Sequence, residues 1–410
     1  MVTKNHKRKL RVLFLYMFPL WGNGSGAWLR ELAVRLAKRK NVEVAILAPD
    51  GRKLPGVKHY VIKPPQMGVF VGNPELRGVQ RYQDMRGREI ADIYQSYICT
   101  TVRVAEDFKP SIIHAFHTAF LPPVARFVKI LYGTKFIITT HGSDLHYLQQ
   151  DRRLIGLIKD AARVSAYITA NSTFTRNWFL NMFGHELSYK TRTIPGGVTL
   201  GDPAKLKPLI DKINKDYHLD GKRVVLFTGR LTVHKGVEYL IKAARKIQGE
   251  VLILGDGPER NYLQSLINQY KLTNVRILGY FSPDKRDLLE AFYKRADVYV
   301  APSVWNEPLG LVILESMAQY TPVIVTRKGG IMSIVKDGYN GYLVRPRNSA
   351  EIAEKVNKLL ADEPLRKRMG ERAHQTVLER FSWDKVTRRF ERLYEKFANN
   401  NKKPLPSEKK

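Results

Sequence analysis

The sequence predicts an α/β protein built from two doubly wound domains, and three observations carry that expectation. Short apolar strands alternate with amphipathic helical stretches; the alternation lapses near the middle of the chain and then resumes; and 410 residues are too many for one ordinary domain but comfortable for two. A hydrophobic content of 44% suffices to fill two cores.

The first unit reads strand, glycine loop, helix, strand. Val12–Tyr16 is β-rich and apolar, Gly22-Asn23-Gly24-Ser25-Gly26 reads as a flexible loop, and 27–40 reads as a helix. On that helix Trp28, Leu29, Leu32, Ala33 and Leu36 share one face, while Arg30, Arg35 and Lys38 lie elsewhere. Strands are expected at 42–47, 111–115, 136–139 and 166–170, with helices between them, the pattern of a parallel sheet covered on both faces. Pro195-Gly196-Gly197 closes this domain at about residue 200, and 201–220, with Pro203 and Pro208, reads as a polar linker. A second series follows over 221–384, with strands at 223–228, 251–254, 275–278, 298–301 and 322–325. An amphipathic helix over 385–398 and a polar, disordered tail over 399–410 end the chain. Two such domains place a cleft between the carboxyl ends of their strands, where ligands bind.

Composition narrows the partners. Lys and Arg outnumber Asp and Glu 69 to 38, a formal charge of +31 that favours anionic ligands or surfaces. The two halves of the chain carry +17 and +14, so the charge is spread. Without a concentrated basic arm or a helix-turn-helix, zinc-finger or RNP signature, no nucleic-acid partner is expected. The single cysteine, Cys99, excludes an intrachain disulfide and a cysteine-based zinc site, and reads as a small buried hydrophobe. Lys4–Arg11 followed by an apolar run has the order of a signal peptide, but the continuation as an α/β unit favours a basic leader before a buried strand. No run of 18 apolar residues occurs. A cytoplasmic protein is expected, one that can work at the inner face of the cell membrane.

The most informative segment is Trp305-Asn306-Glu307-Pro308-Leu309-Gly310-Leu311-Val312-Ile313-Leu314-Glu315. It follows a strand, so 309–319 should open a helix at the strand's carboxyl edge, and that helix is apolar almost all round, the mark of burial. A carboxylate in such a helix is costly unless hydrogen-bonded, and a ribose diol would satisfy Glu315 well. Glu307 lies just before the first turn, either as a partner of the helix dipole or facing a reacting sugar, with the amides of Leu309, Gly310 and Leu311 turned toward phosphate.

Thr228-Gly229-Arg230-Leu231-Thr232-Val233-His234-Lys235-Gly236 sits directly after the opening strand of the second domain. Arg230 and Lys235 can neutralise a diphosphate and stabilise charge building on a departing phosphate; the plain alternative is a solvated basic loop. Gly255 and Gly257, in Gly-Asp-Gly-Pro after another strand, let backbone approach a nucleotide or simply form a turn. In the first domain Gly24 and Gly26 can bring amides to phosphates. His141, in Thr140-His141-Gly142-Ser143-Asp144, should stand at the cleft edge, and His117, lying beyond its strand, is a better candidate than His114.

Together these segments resemble the retaining family-4 glycosyltransferases of the GT-B fold, over roughly residues 10–397. The Glu-x7-Glu pair, Glu307 and Glu315, is the most specific mark; Thr-Gly-Arg-Leu with Lys-Gly, Gly-Asp-Gly-Pro and Thr-His-Gly-Ser-Asp match in the expected order. The resemblance implies two Rossmann-like domains, with the acceptor on the first and a UDP- or GDP-sugar held mainly by the second. Arg230 and Lys235 would hold the diphosphate, Glu315 the ribose and Glu307 the transferring sugar, with His141 and His117 reaching that sugar. The implied chemistry is front-face attack with retained configuration, the leaving phosphate taking the acceptor's proton, and no covalent intermediate. The absence of an Asp-x-Asp motif agrees with the metal independence that the resemblance implies, and no cofactor beyond the sugar nucleotide is expected. The irregular Gly22–Gly26 spacing departs from the family's Gly-Gly pair, which weakens a phosphate contact there.

For the acceptor, the apolar stretch 66–71 is followed by Arg77, Arg81, Arg86 and Arg88. Arg77, Arg81 and Arg88 would share a helical face suited to an anionic acceptor, a phospholipid or a sugar phosphate, and to peripheral membrane contact. Two rival classes stay in view. Gly22–Ala27 can be read as the Gly-x-Gly-x-x-Ala of a dinucleotide-dependent oxidoreductase, and the same fold could serve as a non-catalytic nucleotide-sugar-binding module.

Overall fold

In the computed structural model, residues 9–70, 80–282 and 285–398 are described. The chain divides into two compact units, residues 1–195 with 386–410, and residues 196–385.

The first unit runs β1 (Leu10–Leu15), α1 (Gly24–Ala37), β2 (Val42–Ala48), β3 (Val57–Val61), β4 (Gly68–Val69), β5 (Gln80–Arg81), α2 (Gly87–Phe108), β6 (Ile112–Phe116), α3 (Leu121–Tyr132), β7 (Phe136–Thr140), α4 (Ser143–Gln150), α5 (Ile155–Val164), β8 (Tyr167–Ala170), α6 (Thr173–Phe183) and β9 (Thr191–Thr193). Its main sheet has seven parallel strands in the order β3-β2-β1-β6-β7-β8-β9. β1, β2, β6 and β7 are buried almost throughout, which is why they read as continuous apolar runs.

The second unit runs α7 (Pro203–Tyr217), β10 (Val224–Thr228), α8 (Val237–Ala244), β11 (Glu250–Leu254), α9 (Arg260–Gln269), β12 (Val275–Gly279), α10 (Arg286–Arg295), β13 (Val298–Ala301), α11 (Leu311–Ala318), β14 (Val323–Thr326), β15 (Gly341–Val344), α12 (Ser349–Ala361) and α13 (Glu363–Arg380). Its six parallel strands lie in the order β12-β11-β10-β13-β14-β15. The last helix, α14 (Trp383–Ala398), starts in the second unit and continues into the first, where Phe390 stacks on His114 and the Tyr394 hydroxyl meets its Nδ1 at 2.7 Å.

Both sheets are Rossmann-like: the chain winds outward from a central strand, returns beside it, and winds out the other way. The reversal leaves a crevice at the carboxyl ends of β1 and β6 in one unit and of β10 and β13 in the other.

Four expectations are corrected here. The span 201–220 is mostly helix α7, not a linker: Asp202 caps it by accepting from the Ala204 amide, Pro203 takes a first-turn position where no amide partner is lost, and Leu206 and Ile213 are buried. The supposed flexible loop over Gly22–Gly26 is a helix start, because the Asn23 side chain accepts from the Gly26 amide at 2.7 Å and begins α1 at Gly24. Cys99 is exposed: on α2 it points away from the side carrying the buried Ile93, Tyr97, Thr101 and Val104. Arg81 and Arg88 do not share a helix, since Arg81 lies on β5, paired with Asp84 at 2.7 Å, and Arg88 in the first turn of α2. Arg77 and the tail 399–410 lie outside the described residues. Strands β3, β4, β5, β9 and β15 had no counterpart in the sequence reading.

Candidate active site

The second unit assembles its site at the β10/β13 switch point. β10 ends in Thr228, and the chain turns through Gly229 and Arg230 toward a short helical turn over Val233–Lys235. β13 ends at Ala301 and leads through Ser303 to Glu307. The two loops are tied together: the Val304 amide donates to the His234 carbonyl at 2.9 Å, and the His234 ring packs against Trp305 with centroids 5.0 Å apart.

Glu307 is the focus. Lys235 Nζ donates to its Oε1 at 2.5 Å and Ser303 Oγ donates to the same oxygen at 3.0 Å, while the side chain is only 14% exposed. Burial pushes its pKa up, but the charge and hydrogen bond of Lys235, with help from Ser303, outweigh that and hold the carboxyl below its usual range. Glu307 is therefore an anion with one oxygen engaged. Its backbone carbonyl accepts from the Gly330 amide at 2.6 Å, which fixes the loop from the β14 side.

Glu315 lies on α11, whose other residues are mostly buried. Tyr293 of α10 donates to Glu315 Oε2 at 3.0 Å and meets Thr228 Oγ1 at 2.6 Å, with Tyr299 at 3.2 Å from the same hydroxyl. Burial raises the Glu315 pKa, against the pull of the Arg286 charge and the Tyr293 hydrogen bond. The chain Glu315–Tyr293–Thr228 links the acid on α11 to the residue that opens the Arg230 loop. At the head of α11, Gly310 occupies the cap position with φ +90 and offers no side-chain cap, so no side chain of the cap residue stands between the helix mouth and an anion.

Gly255 and Gly257 have a firmer role than nearness to a nucleotide. A Cβ on Gly255 would collide with the Gly229 carbonyl, and one on Gly257 with the Leu231 carbonyl. Backbone bonds from Gly229 to Leu254 and from Leu231 to Asp256, both 2.9 Å, hold the two loops against each other. These glycines thus set the position of the Arg230 loop.

The first unit's switch point has different chemistry. His117, just past β6, has φ +87 and is 1% exposed; its ring stacks on Tyr16 with centroids 5.5 Å apart and lies 4.8 Å from that of His141. His141 packs on Trp28 and Phe116, at 5.1 Å each. It lies half-buried just beyond the carboxyl end of β7, with α1 and β6 packed against its ring. His117 Nδ1 and His141 Nε2 are buried with no hydrogen-bond partner among the described residues. Burial pushes His117 down to about 4 and His141 well below its ordinary range, so both rings are neutral near pH 7. His114 bonds Tyr394 and Thr139 and is a core residue.

Asp144 fastens this corner. Fully buried, it accepts from the amides of Thr118 at 2.6 Å, Gly142 at 2.8 Å and Leu145 at 3.1 Å, tying the loops after β6 and β7. The Gly26 amide is taken by Asn23, whose Oδ1 also accepts from the Tyr16 hydroxyl at 2.6 Å, so of the two glycines expected at phosphates, Gly24 and Gly26, the latter has its amide engaged within the chain. Tyr293, Ser303, Tyr16 and Asp144 were missed as supporting residues. Only Asp144 had a local signal, as the last residue of the Thr-His-Gly-Ser-Asp segment.

Among the described residues no three His, Cys, Asp or Glu side chains gather so as to hold a metal ion, and no helix is long and apolar enough to cross a membrane.

A doubly wound pair with a paired lysine and two acids at one switch point defines a class, and comparison with known proteins names it. The family model described as Glycosyl transferases group 1 matches residues 210–376, and the one described as Glycosyltransferase Family 4 matches residues 22–201. N-acetyl-alpha-D-glucosaminyl L-malate synthase of Bacillus anthracis is 31% identical over 267 residues, covering 63% of this chain and 67% of that protein. The chain belongs to the family-4 glycosyltransferases of the GT-B fold and is a glycosyltransferase. An uncharacterized glycosyltransferase of Methanocaldococcus jannaschii is 41% identical over 180 residues, 43% of this chain and 45% of that protein, so this match spans under half of the relative. Among solved structures, Anabaena HepE in complex with UDP aligns with a TM-score of 0.74 at 19% identity, over 94% of this chain and 100% of that one, a likeness of fold.

Proposed function

We propose that the protein is a retaining hexosyltransferase that moves a sugar from a UDP- or GDP-linked donor to a hydroxyl of an anionic acceptor, a phospholipid or a sugar phosphate. The observation that carries this reading is the Glu307 carboxylate, kept ionised by Lys235 and Ser303 at the mouth of the helix that bears Glu315.

In this reading Arg230, Lys235 and the amides of Leu309, Gly310 and Leu311 receive the diphosphate, and Gly255 and Gly257 place the loop that carries Arg230. Lys235 is neutralised by Glu307 in the structure, so it turns toward phosphate when the donor arrives, and the freed Glu307 oxygen accepts from sugar hydroxyls. Glu315, with Oε2 taken by Tyr293, presents Oε1 to the ribose diol. His141 and His117, neutral and with unpaired ring nitrogens, make the sugar contacts that the family resemblance implies for them. As the glycosidic bond to phosphate breaks, the phosphate oxygen gains charge opposite the cations and takes the proton of the attacking acceptor hydroxyl on the same face. The UDP held by the HepE relative supports a nucleotide donor, and the malate in the name of the Bacillus relative supports an acid acceptor.

The test is incubation of the purified protein with a panel of nucleotide sugars and detection of released UDP or GDP. One sugar nucleotide should be hydrolysed slowly even without acceptor, and Glu307→Ala should abolish release. Tight NAD binding with no sugar-nucleotide turnover overturns the reading. Full turnover by Glu307→Ala removes Glu307 from the chemistry.

A further inference from the structure

Helix α3 breaks the usual rule for a surface helix. Its inner side, Leu121, Val124, Ala125 and Val128, is at most 1% exposed and fills the core. Its outer side is apolar as well: Phe127 is 39% exposed, Leu131 48% and Ile130 68%. A helix apolar on both sides belongs inside a protein or against lipid. Residues 126, 129 and 130 follow one another around the outer side, so Arg126 and Lys129 flank the apolar ridge on one edge.

The cations there are crowded. Lys129 Nζ donates to the Val164 carbonyl at the end of α5 at 2.7 Å, and Lys190 Nζ donates to the carbonyls of Arg163 at 2.6 Å and Ser165 at 2.8 Å. Burial, then the charges of Lys135 and Arg126, push Lys129 below the ordinary lysine range. Burial, then Lys129, push Lys190 down to about 8. The carboxylates at the border are engaged: Glu106 accepts from Tyr132 at 2.7 Å, and Asp160 and Glu186 lie within 3.9 Å of Arg163. Beyond Lys190, Tyr189 stands 70% exposed.

We infer that the outer face of α3, with its adjoining Arg126–Lys129 edge, docks on an anionic lipid surface, the Phe127–Ile130–Leu131 ridge entering the interface and those two cations meeting headgroup phosphates. An apolar ridge beside a basic edge is the arrangement that amphipathic surface helices use at acidic bilayers. A second copy fits less well. A stable protein interface needs about 800 Å² per partner, and an antiparallel two-fold contact along this ridge would bring like-charged edges together. The inference does not depend on the donor-site reading, and it puts membrane contact on α3 rather than on the arginine face expected from the sequence.

The test floats the full-length protein with vesicles of phosphatidylglycerol and phosphatidylcholine, and with phosphatidylcholine alone. Recovery is expected only with the acidic vesicles, weakening at high salt. Ile130→Glu with Leu131→Glu should reduce it about tenfold or more, and Arg126→Glu by a smaller factor. Donor hydrolysis and circular dichroism of the variants should match the parent, which separates loss of docking from loss of fold or of the active site. Failure to float with acidic vesicles, or equal recovery of the double variant, overturns the proposal. So does concentration-dependent oligomerisation of the parent that the double variant abolishes, since the ridge is then a protein interface.

Discussion

The two switch points have the same topology and opposite chemistry. In the second unit, β10 and β13 deliver an ion pair, Lys235 with Glu307, and a buried acid, Glu315, braced by a tyrosine. In the first, β1, β6 and β7 deliver aromatic rings and the neutral imidazoles of His117 and His141, with ring nitrogens that have no partner among the described residues. In the proposed reading, one place handles charge and the other neutral hydroxyls, without competing for it. The fold supplies the crevice, and the loop residues decide what can be held there.

The largest effect should come from the charged side. Glu307→Gln keeps the shape and removes the charge; kcat/KM measured by nucleotide release should fall about 10²- to 10³-fold. A loss below tenfold would erase the distinction between the two units. Arg230→Ala should cost about tenfold to a hundredfold, mostly in donor KM, if the cation grips the diphosphate in the ground state. Tyr293→Phe removes the hydrogen bond to Glu315 without emptying space. Donor KM should rise about tenfold with kcat nearly constant, since a hydrogen bond to a charged group contributes roughly 1.5–3 kcal/mol. Loss of kcat alone would place Glu315 in the chemistry rather than on the ribose.

The neutral side should show itself in pH dependence. His117 titrates at about 4 in the folded chain against an ordinary 6.5, so the unfolded chain takes up its proton first on acidification. The stability it contributes is complete above about pH 6.5 and is lost as pH falls toward about 4, by up to roughly 1.4 kcal/mol per unit. Asparagine tolerates positive φ, so in urea unfolding His117→Asn should show a shallower decline than the parent between about pH 7 and pH 5. Parallel curves would show that the ring is not buried neutral. The smallest effect is expected at Asn23→Ala. Loss of the helix cap should lower stability by about 1 kcal/mol while donor KM stays unchanged, confirming that this helix start is architecture and not a phosphate grip.

Much of this was legible in the primary chain. Continuous apolar runs such as Val224–Thr228 and Val298–Ala301 announce strands covered on both faces, and the interval from Glu307 to Glu315 announces a helix mouth carrying two acids, because both patterns are local. β15 lacked such a signal, since Gly341 and Tyr342 begin it, and α7 was hidden by its polar surface and two prolines.

The order of residues by itself determined two parallel α/β units, the loops that follow their strands and the presence of Arg230, Lys235, Glu307 and Glu315 on those loops. Only the tertiary structure decided that Lys235 neutralises Glu307 across 72 residues, that Tyr293 braces Glu315 and that α3 turns an apolar ridge outward. The reason is distance: hydrophobic periodicity and turn chemistry act over a few residues, whereas ion pairing, burial and surface exposure depend on which distant segments the sheets bring side by side.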